Sequence, residues 1–306
     1  MKKILTIIAA IVVLGLILFG VMRWLGEEET EQASPESSPE ETSELAQPEW
    51  CAAVEVISAP GTWESFADDD PYNPQAVETA MLENVTRPLQ ERYPDGDVKV
   101  WTLPYTAQFR NLNALGEMTY DDSKAEGIAK VREEIGAVHT ECPQTKFILM
   151  GFSQGAVIAG DVAAMIGVGN DPIPADRVVG VALLADGRRT AEAGQFVGNP
   201  VAGVGAEVAL QPVNALIQTV LPGATMTGAR ENGFGTLNDR TFEICAPDDN
   251  ICDSPTGVVD GALRAQDLIA ANGVHAMYAT NPNVIPGTTA TQWMVDWAAG
   301  LIDTNR

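Results

Sequence analysis

The pentapeptide Gly151-Phe152-Ser153-Gln154-Gly155 follows directly on a short apolar segment, residues 146–150. It precedes a stretch rich in Ala, Val, Ile and Met, residues 156–166. These flanks read as a buried strand and a tightly packed helix, so the pentapeptide must turn the chain sharply from one into the other. A serine at the apex of such a turn has strained backbone angles. Side chains two positions to either side would meet the neighbouring strand and helix, which gives Gly151 and Gly155 a steric reason to be glycine. Read as a helix N-cap, Ser153 is explained but the paired glycines are not. The turn also presents the hydroxyl at the end of a strand, where a nucleophile is accessible.

Other segments extend the pattern. Residues 54–58 alternate weakly and run into the turn Ala59-Pro60-Gly61-Thr62. Val98, Val100, Thr102 and Pro104 mark a second strand ending near Tyr105, and residues 178–185 form a continuous apolar strand. Residues 77–90 predict a helix that Pro88 ends or bends. Residues 123–138 carry Ile128, Val131 and Ile135 at helical spacing. Apolar strands alternating with helices are buried on both faces, which predicts an α/β fold with a mostly parallel sheet. Residues 241–244 predict a further strand, and Trp293, Val295, Trp297, Leu301 and Ile302 a closing amphipathic helix. The Gly- and Ala-rich stretch 187–238 has only fragmentary helical signal, around residues 213–220, and reads as loops covering one edge. No internal repeat and no second linker is visible, so residues 50–306 are read as one domain.

The amino-terminal part is of another kind. Lys2 and Lys3 precede an uncharged apolar run, residues 4–22, which Arg23 closes. At 1.5 Å per residue the run reaches about 28 Å, close to the thickness of a hydrocarbon core. A cleaved signal peptide has a shorter apolar region and a small-residue cleavage site, which Gly20, Val21, Met22, Arg23 and Trp24 do not supply. Residues 1–26 are therefore expected to form an uncleaved transmembrane signal anchor with its amino end inside. Cleavage and secretion are the alternative, and in either case the rest of the chain is exported. Residues 27–49 hold nine acidic side chains, no basic ones and three prolines. They read as a flexible, self-repelling tether.

The chain carries a formal net charge of -24, of which residues 50–306 retain -18. This excess argues against nucleic acid as a partner, because that binding relies on Lys and Arg. Two histidines and four cysteines leave little for a metal cluster, and no calcium-loop spacing is present. Any chemistry must use common side chains, without metal or other cofactor.

A serine hydroxyl needs a base, normally a histidine that a carboxylate holds in the useful tautomer. Only His139 and His275 exist. His139 precedes the Ser153 turn and would face the wrong end of the sheet, so it reads as a surface residue. His275 follows Gly273 and Val274 in a loop and has the chain order that the turn demands. For the acid, patterning leaves Asp186, Asp248, Asp249 and Asp253 open. Asp186 ends an apolar strand and reads better as a turn stabiliser, whereas the other three crowd Cys245 and Cys252.

Taken together, the sequence resembles the cutinase family of serine esterases, within the α/β-hydrolase superfamily. The likeness is strongest to envelope-associated members of mycolate-bearing bacteria. The matching pieces are Cys51, Pro60-Gly61-Thr62-Trp63-Glu64-Ser65, and the run from Cys142-Pro143 through Gly151-Phe152-Ser153-Gln154-Gly155-Ala156. They continue with Cys245-Ala246-Pro247-Asp248-Asp249-Asn250-Ile251-Cys252 and His275-Ala276-Met277-Tyr278. The resemblance implies a cutinase-like three-layer sandwich with Ser153 as nucleophile, Asp249 as acid and His275 as base. It implies an oxyanion hole from the Gln154 N–H and from Thr62, through its N–H with its hydroxyl as a second candidate. It also implies the disulfides Cys51–Cys142 and Cys245–Cys252. The sequence departs from the family at Phe152, where many members have Tyr, and in the long stretches 187–238 and between Cys252 and His275. The first of these is expected to be an apolar, mobile cover suited to long acyl chains.

The implied activity is hydrolysis of hydrophobic acyl esters, phospholipid or thioester substrates included, by an extracytoplasmic enzyme held at the cytoplasmic membrane. A monomer is the default. Two competing readings are an acyltransferase using the same triad and a non-catalytic envelope-binding module.

Overall fold

A computed structural model of the chain describes residues 47–170, 172–256 and 273–306. The expected anchor, the tether up to residue 46 and most of the interval between Cys252 and His275 lie outside the described residues. Among the described residues no helix is long and apolar enough to cross a membrane.

The frame is a six-stranded sheet of β1 (Val54–Ala59), β2 (Val98–Thr102), β3 (Lys146–Phe152), β4 (Val178–Leu184), β5 (Gln195–Val197) and β6 (Thr241–Ile244). The strand order is β2-β1-β3-β4-β6-β5, and every described pairing is parallel. The helices are α1 (Glu83–Arg92), α2 (Tyr120–Glu141), α3 (Gln154–Gly167), α4 (Ala206–Leu210), α5 (Asn214–Val220) and α6 (Ala290–Asn305).

Alternation along the strands divides the core between two faces. Val54, Val56, Ile148, Met150, Ala182 and Leu184 pack with Leu89 of α1 and Met294 of α6. Ile57, Phe147, Leu149, Val181 and Leu183 pack with Val131 of α2 and Ile158 of α3 on the other face. Strands buried on both sides read as near-continuous apolar runs, which is why β3 and β4 stand out in the sequence, whereas β1 and β6 each carry a buried glutamate.

Three expectations need correction. The helix expected over residues 77–90 begins only at Glu83 and runs through Pro88 to Arg92. Pro88 removes one backbone donor, but Leu89 is fully buried and the Tyr93 hydroxyl donates to Asp303 of α6 at 2.9 Å, so packing holds the helix past it. The strand expected to end near Tyr105 ends at Thr102. Residues 187–238 are not only loops. They add the edge strand β5, whose three residues are largely exposed, together with α4 and α5.

The chain leaves β1 toward β2 on one side, then returns to place β3 on the other side of β1. A crevice therefore opens at the carboxyl ends of β1 and β3, where side chains from separate loops meet.

Candidate active site

Ser153 follows β3 at this crevice with φ 54° and ψ -119°, a left-handed turn that a side-chain-bearing residue adopts only under constraint. The constraint is visible in the glycines. A Cβ on Gly151 would collide with the backbone of Gly155 and Ala156, and one on Gly155 with the carbonyls of Ala59 and Pro60. The steric reading of the pentapeptide is met by these contacts.

Two further loops meet the Ser153 turn. His275 Nε2 lies 3.0 Å from Ser153 Oγ, and His275 Nδ1 lies 2.8 Å from Asp249 Oδ2. Asp249 is fully buried and sits in the loop closed by Cys245–Cys252, whose Cα atoms are 5.9 Å apart. Its Oδ1 accepts from the Ile251 N–H at 3.0 Å. The imidazole stacks on Phe152, with ring centroids 4.9 Å apart and planes at 25°. Phe152 keeps this ring contact without the hydroxyl of a tyrosine.

Of the other candidate aspartates, Asp248 is exposed, and Asp186 and Asp253 are engaged elsewhere. Asp186, also fully buried, accepts from Arg230, which pairs in turn with Asp161. Asp253 Oδ1 accepts from the Gly203 N–H at 2.6 Å and Oδ2 from the Asp248 N–H at 3.0 Å, so it braces the loop that holds Asp249. Arg189 adds to the brace by donating to the carbonyls of Cys252 and Gly203. His139 lies near the carboxyl end of α2, just ahead of the amino end of β3 and so away from the Ser153 turn, and burial pulls its pKa below the usual histidine range.

Thr62 and Gln154, the residues expected at the oxyanion hole, sit side by side next to the Ser153 turn. The Gln154 N–H opens α3, and a first-turn amide has no intrahelical acceptor. The Thr62 hydroxyl donates to Gln154 Oε1 at 3.0 Å, and Gln154 Nε2 donates to Ser123 Oγ at 2.9 Å. Ser123 Oγ in turn donates to the Thr106 carbonyl at 2.5 Å. The hydroxyl of Thr62 is thus committed to Gln154 in the resting geometry.

Residues that the sequence reading missed support this frame. Tyr278 donates its hydroxyl to Asp249 Oδ2 at 2.6 Å. Glu64 accepts from the N–H groups of Gly61 and Met81, each at 2.9 Å, and so ties the Thr62 turn to the segment entering α1. Burial raises the Glu64 pKa above the usual carboxylate range, and the two N–H donors oppose that rise. Both stand within pieces that carry the family likeness, Glu64 two residues after Thr62 and Tyr278 three after His275, but nothing in the sequence marked what they hold.

Ser153, His275 and Thr62 line one wall of a cavity of about 550 Å³. Phe109 and Val157 come from the body of the domain, whereas Leu210, Ile217, Leu221 and Met226 come from the 187–238 stretch. Buried Glu207 fastens that stretch to α2 by accepting from the Tyr120 hydroxyl at 2.6 Å and pairing with Lys124 at 3.3 Å. At the far end of the sheet Cys51 and Cys142 form the second disulfide, with Cα atoms 5.6 Å apart. Both expected cysteine pairings are present.

The chain is similar to several known proteins. The profile of the family described as Cutinase matches residues 50–280. A carboxylesterase Culp6 homolog of Corynebacterium glutamicum is 57% identical over 307 residues, 99% of each chain. Acetylxylan esterase 2 of Talaromyces purpureogenus is 36% identical over 98 residues, which are 31% of this chain and 41% of that protein. Among solved structures, the catalytic core domain of acetyl xylan esterase from Trichoderma reesei has 17% sequence identity and a TM-score of 0.49, covering 84% of this chain and 100% of that one. With a profile that spans most of the described domain and a relative alike from end to end, the chain belongs to the cutinase family of serine carboxylic-ester hydrolases.

Proposed function

We propose that the chain hydrolyses esters of apolar acyl chains through an acyl-enzyme formed on Ser153. The observation that carries this reading is a continuous hydrogen-bonded line, Asp249 to His275 to Ser153, opening on a cavity of about 550 Å³ with largely apolar walls. His275 Nε2 takes the proton as Ser153 Oγ attacks the ester carbonyl, while Asp249 holds Nδ1 and stabilises the imidazolium. The N–H groups of Gln154 and Thr62 bind the oxyanion of the tetrahedral intermediate, and each such donor typically contributes about 10²–10³ in rate. The alcohol leaves with the proton from His275. Water, deprotonated by the same imidazole, then releases the acid. The acyl chain lies along Leu210, Ile217 and Met226, which is where phospholipid or other envelope lipids would find room.

The enzyme works outside the cytoplasmic membrane, with residues 1–26 as a retained anchor and residues 27–49 as its tether. Support comes from the apolar run 4–22 and from two disulfides, which persist in oxidising compartments. The mass of the mature amino-terminal peptide from membrane fractions tests this, since a mass beginning after residue 22 would mean secretion.

Fluorophosphonate labelling followed by peptide mass analysis tests the chemistry. Label on the Ser153 peptide, lost in Ser153→Ala together with nearly all ester hydrolysis, is the expected result. Folded protein that neither labels nor hydrolyses esters would be a binding module instead.

A further inference from the structure

Tyr278 is fully buried three residues beyond His275, and its hydroxyl has one proton to give. The Ala246 N–H donates to Tyr278 Oη at 2.9 Å, so that oxygen already serves as an acceptor. Two acceptors remain within reach of the proton: Asp249 Oδ2 at 2.6 Å and the disulfide sulfur of Cys252 at 3.4 Å. A carboxylate oxygen is by far the stronger acceptor, so the proton points to Asp249. Asp249 Oδ2 therefore receives two donors at once, the phenol and the His275 Nδ1–H, while Oδ1 receives the Ile251 N–H. Together they replace the hydration that a fully buried carboxylate has lost.

We propose that Tyr278 is a positioning residue for hydrolysis. By sharing Asp249 Oδ2 with His275 it fixes the rotamer of the acid and draws off part of its charge, and so sets how strongly His275 holds a proton. The proposal rests on the serine-hydrolase reading above. The phenol stays a donor throughout the working range, because burial and the neighbouring Asp249 push its pKa well above that of a free tyrosine. Its ring also meets Phe152 edge-on, with centroids 6.1 Å apart, and His275 at 6.3 Å, and phenylalanine would preserve both contacts. The other charged groups acting on this unit are Arg189 from the loop after β4 and Glu64 from the loop after β1, with Asp253 bracing the Asp249 loop. None of them donates to Asp249 Oδ2 among the described hydrogen bonds.

The test is Tyr278→Phe, assayed for hydrolysis of a soluble butyryl ester across the pH range. The expected result is a kcat about tenfold or more below wild type, with KM nearly unchanged. The acidic limb of the kcat/KM profile should move to higher pH, because the unshared carboxylate favours the imidazolium. In an Asp249→Asn background the same substitution should cost much less than tenfold, since Tyr278 acts through that carboxylate. Placing 3-fluorotyrosine at position 278, which keeps the fold and strengthens the donor, should move the limb the opposite way. This second variant decides the matter if Tyr278→Phe does not fold. A wild-type profile in both variants, or an equal loss with and without the Asp249 carboxylate, overturns the proposal. Wild-type protein that fails to label at Ser153 would instead overturn the hydrolase reading beneath it.

Discussion

At the scale of single residues, the polarity of the oxyanion side follows from where protons are already committed. The Ser123 hydroxyl donates to Thr106, so Ser123 Oγ faces Gln154 only as an acceptor. The amide of Gln154 must then turn Nε2 toward Ser123 and Oε1 toward Thr62, whose hydroxyl supplies the remaining proton. One serine in α2 thereby orients a side chain in α3 and, through it, the turn after β1. Ser123→Ala would leave Gln154 Nε2 buried without its acceptor, an omission worth about 1–3 kcal/mol. We expect a lower melting temperature and a kcat reduced about tenfold, with KM unchanged, because the ordered turn matters most when the oxyanion forms. Steady-state ester hydrolysis and a thermal melt check this together. A destabilised variant with wild-type kcat would separate the relay from the chemistry.

At the scale of elements, the stretch 187–238 supplies apolar wall to the cavity beside Ser153. α4 and α5 place Leu210 and Ile217 in the cavity wall, and Glu207 holds the segment on α2 through Tyr120 and buried Lys124. Ile217→Trp would fill acyl space without touching Ser153 or His275. It should lower kcat/KM for dodecanoyl esters tenfold or more and leave butyryl esters within about twofold, as a chain-length series would read directly. Equal effects on both esters would mean that acyl chains lie elsewhere. The sequence made this region hard to read for a physical reason. β5 is three largely exposed residues paired only to β6, and neither alternation nor an apolar run marks so short an edge. β3 and the serine turn stood out because burial on both faces and the lack of room at Gly151 and Gly155 restrict residue choice there. The triad was legible as chain order plus family likeness. Tyr278, Glu64 and Ser123 were not, because a hydrogen-bonding partner reached across the fold leaves no periodic trace.

At the scale of the whole molecule, an acidic chain has buried some of its carboxyls, and that couples stability to pH. Glu55 lies fully buried within β1, where burial and the neighbouring Glu134 of α2 push its pKa from 4.5 to about 8. Glu243, nearly fully buried in β6, is raised too, by burial and by Asp186. In the unfolded chain these groups lose their protons near the ordinary glutamate value, whereas the folded chain keeps them longer. The stabilisation from Glu55 is therefore complete below about pH 4.5 and is lost as pH rises toward 8, at up to about 1.4 kcal/mol per pH unit, and Glu243 acts with the same sign. His139, held neutral by burial, works with the opposite sign as pH falls below 6.5, so the carboxyls are best isolated between pH 7 and 8. Surface carboxylates are already ionised there, and their mutual repulsion is screened by salt, whereas the buried sites are screened far less. We expect the melting temperature to fall from pH 7 to pH 8 even at high ionic strength. In Glu55→Gln, which carries no proton to lose, the fall should be shallower and the melting temperature at pH 8 higher than that of the wild type. Parallel curves for the two proteins would show that Glu55 is already ionised in the fold and that the pH dependence arises elsewhere.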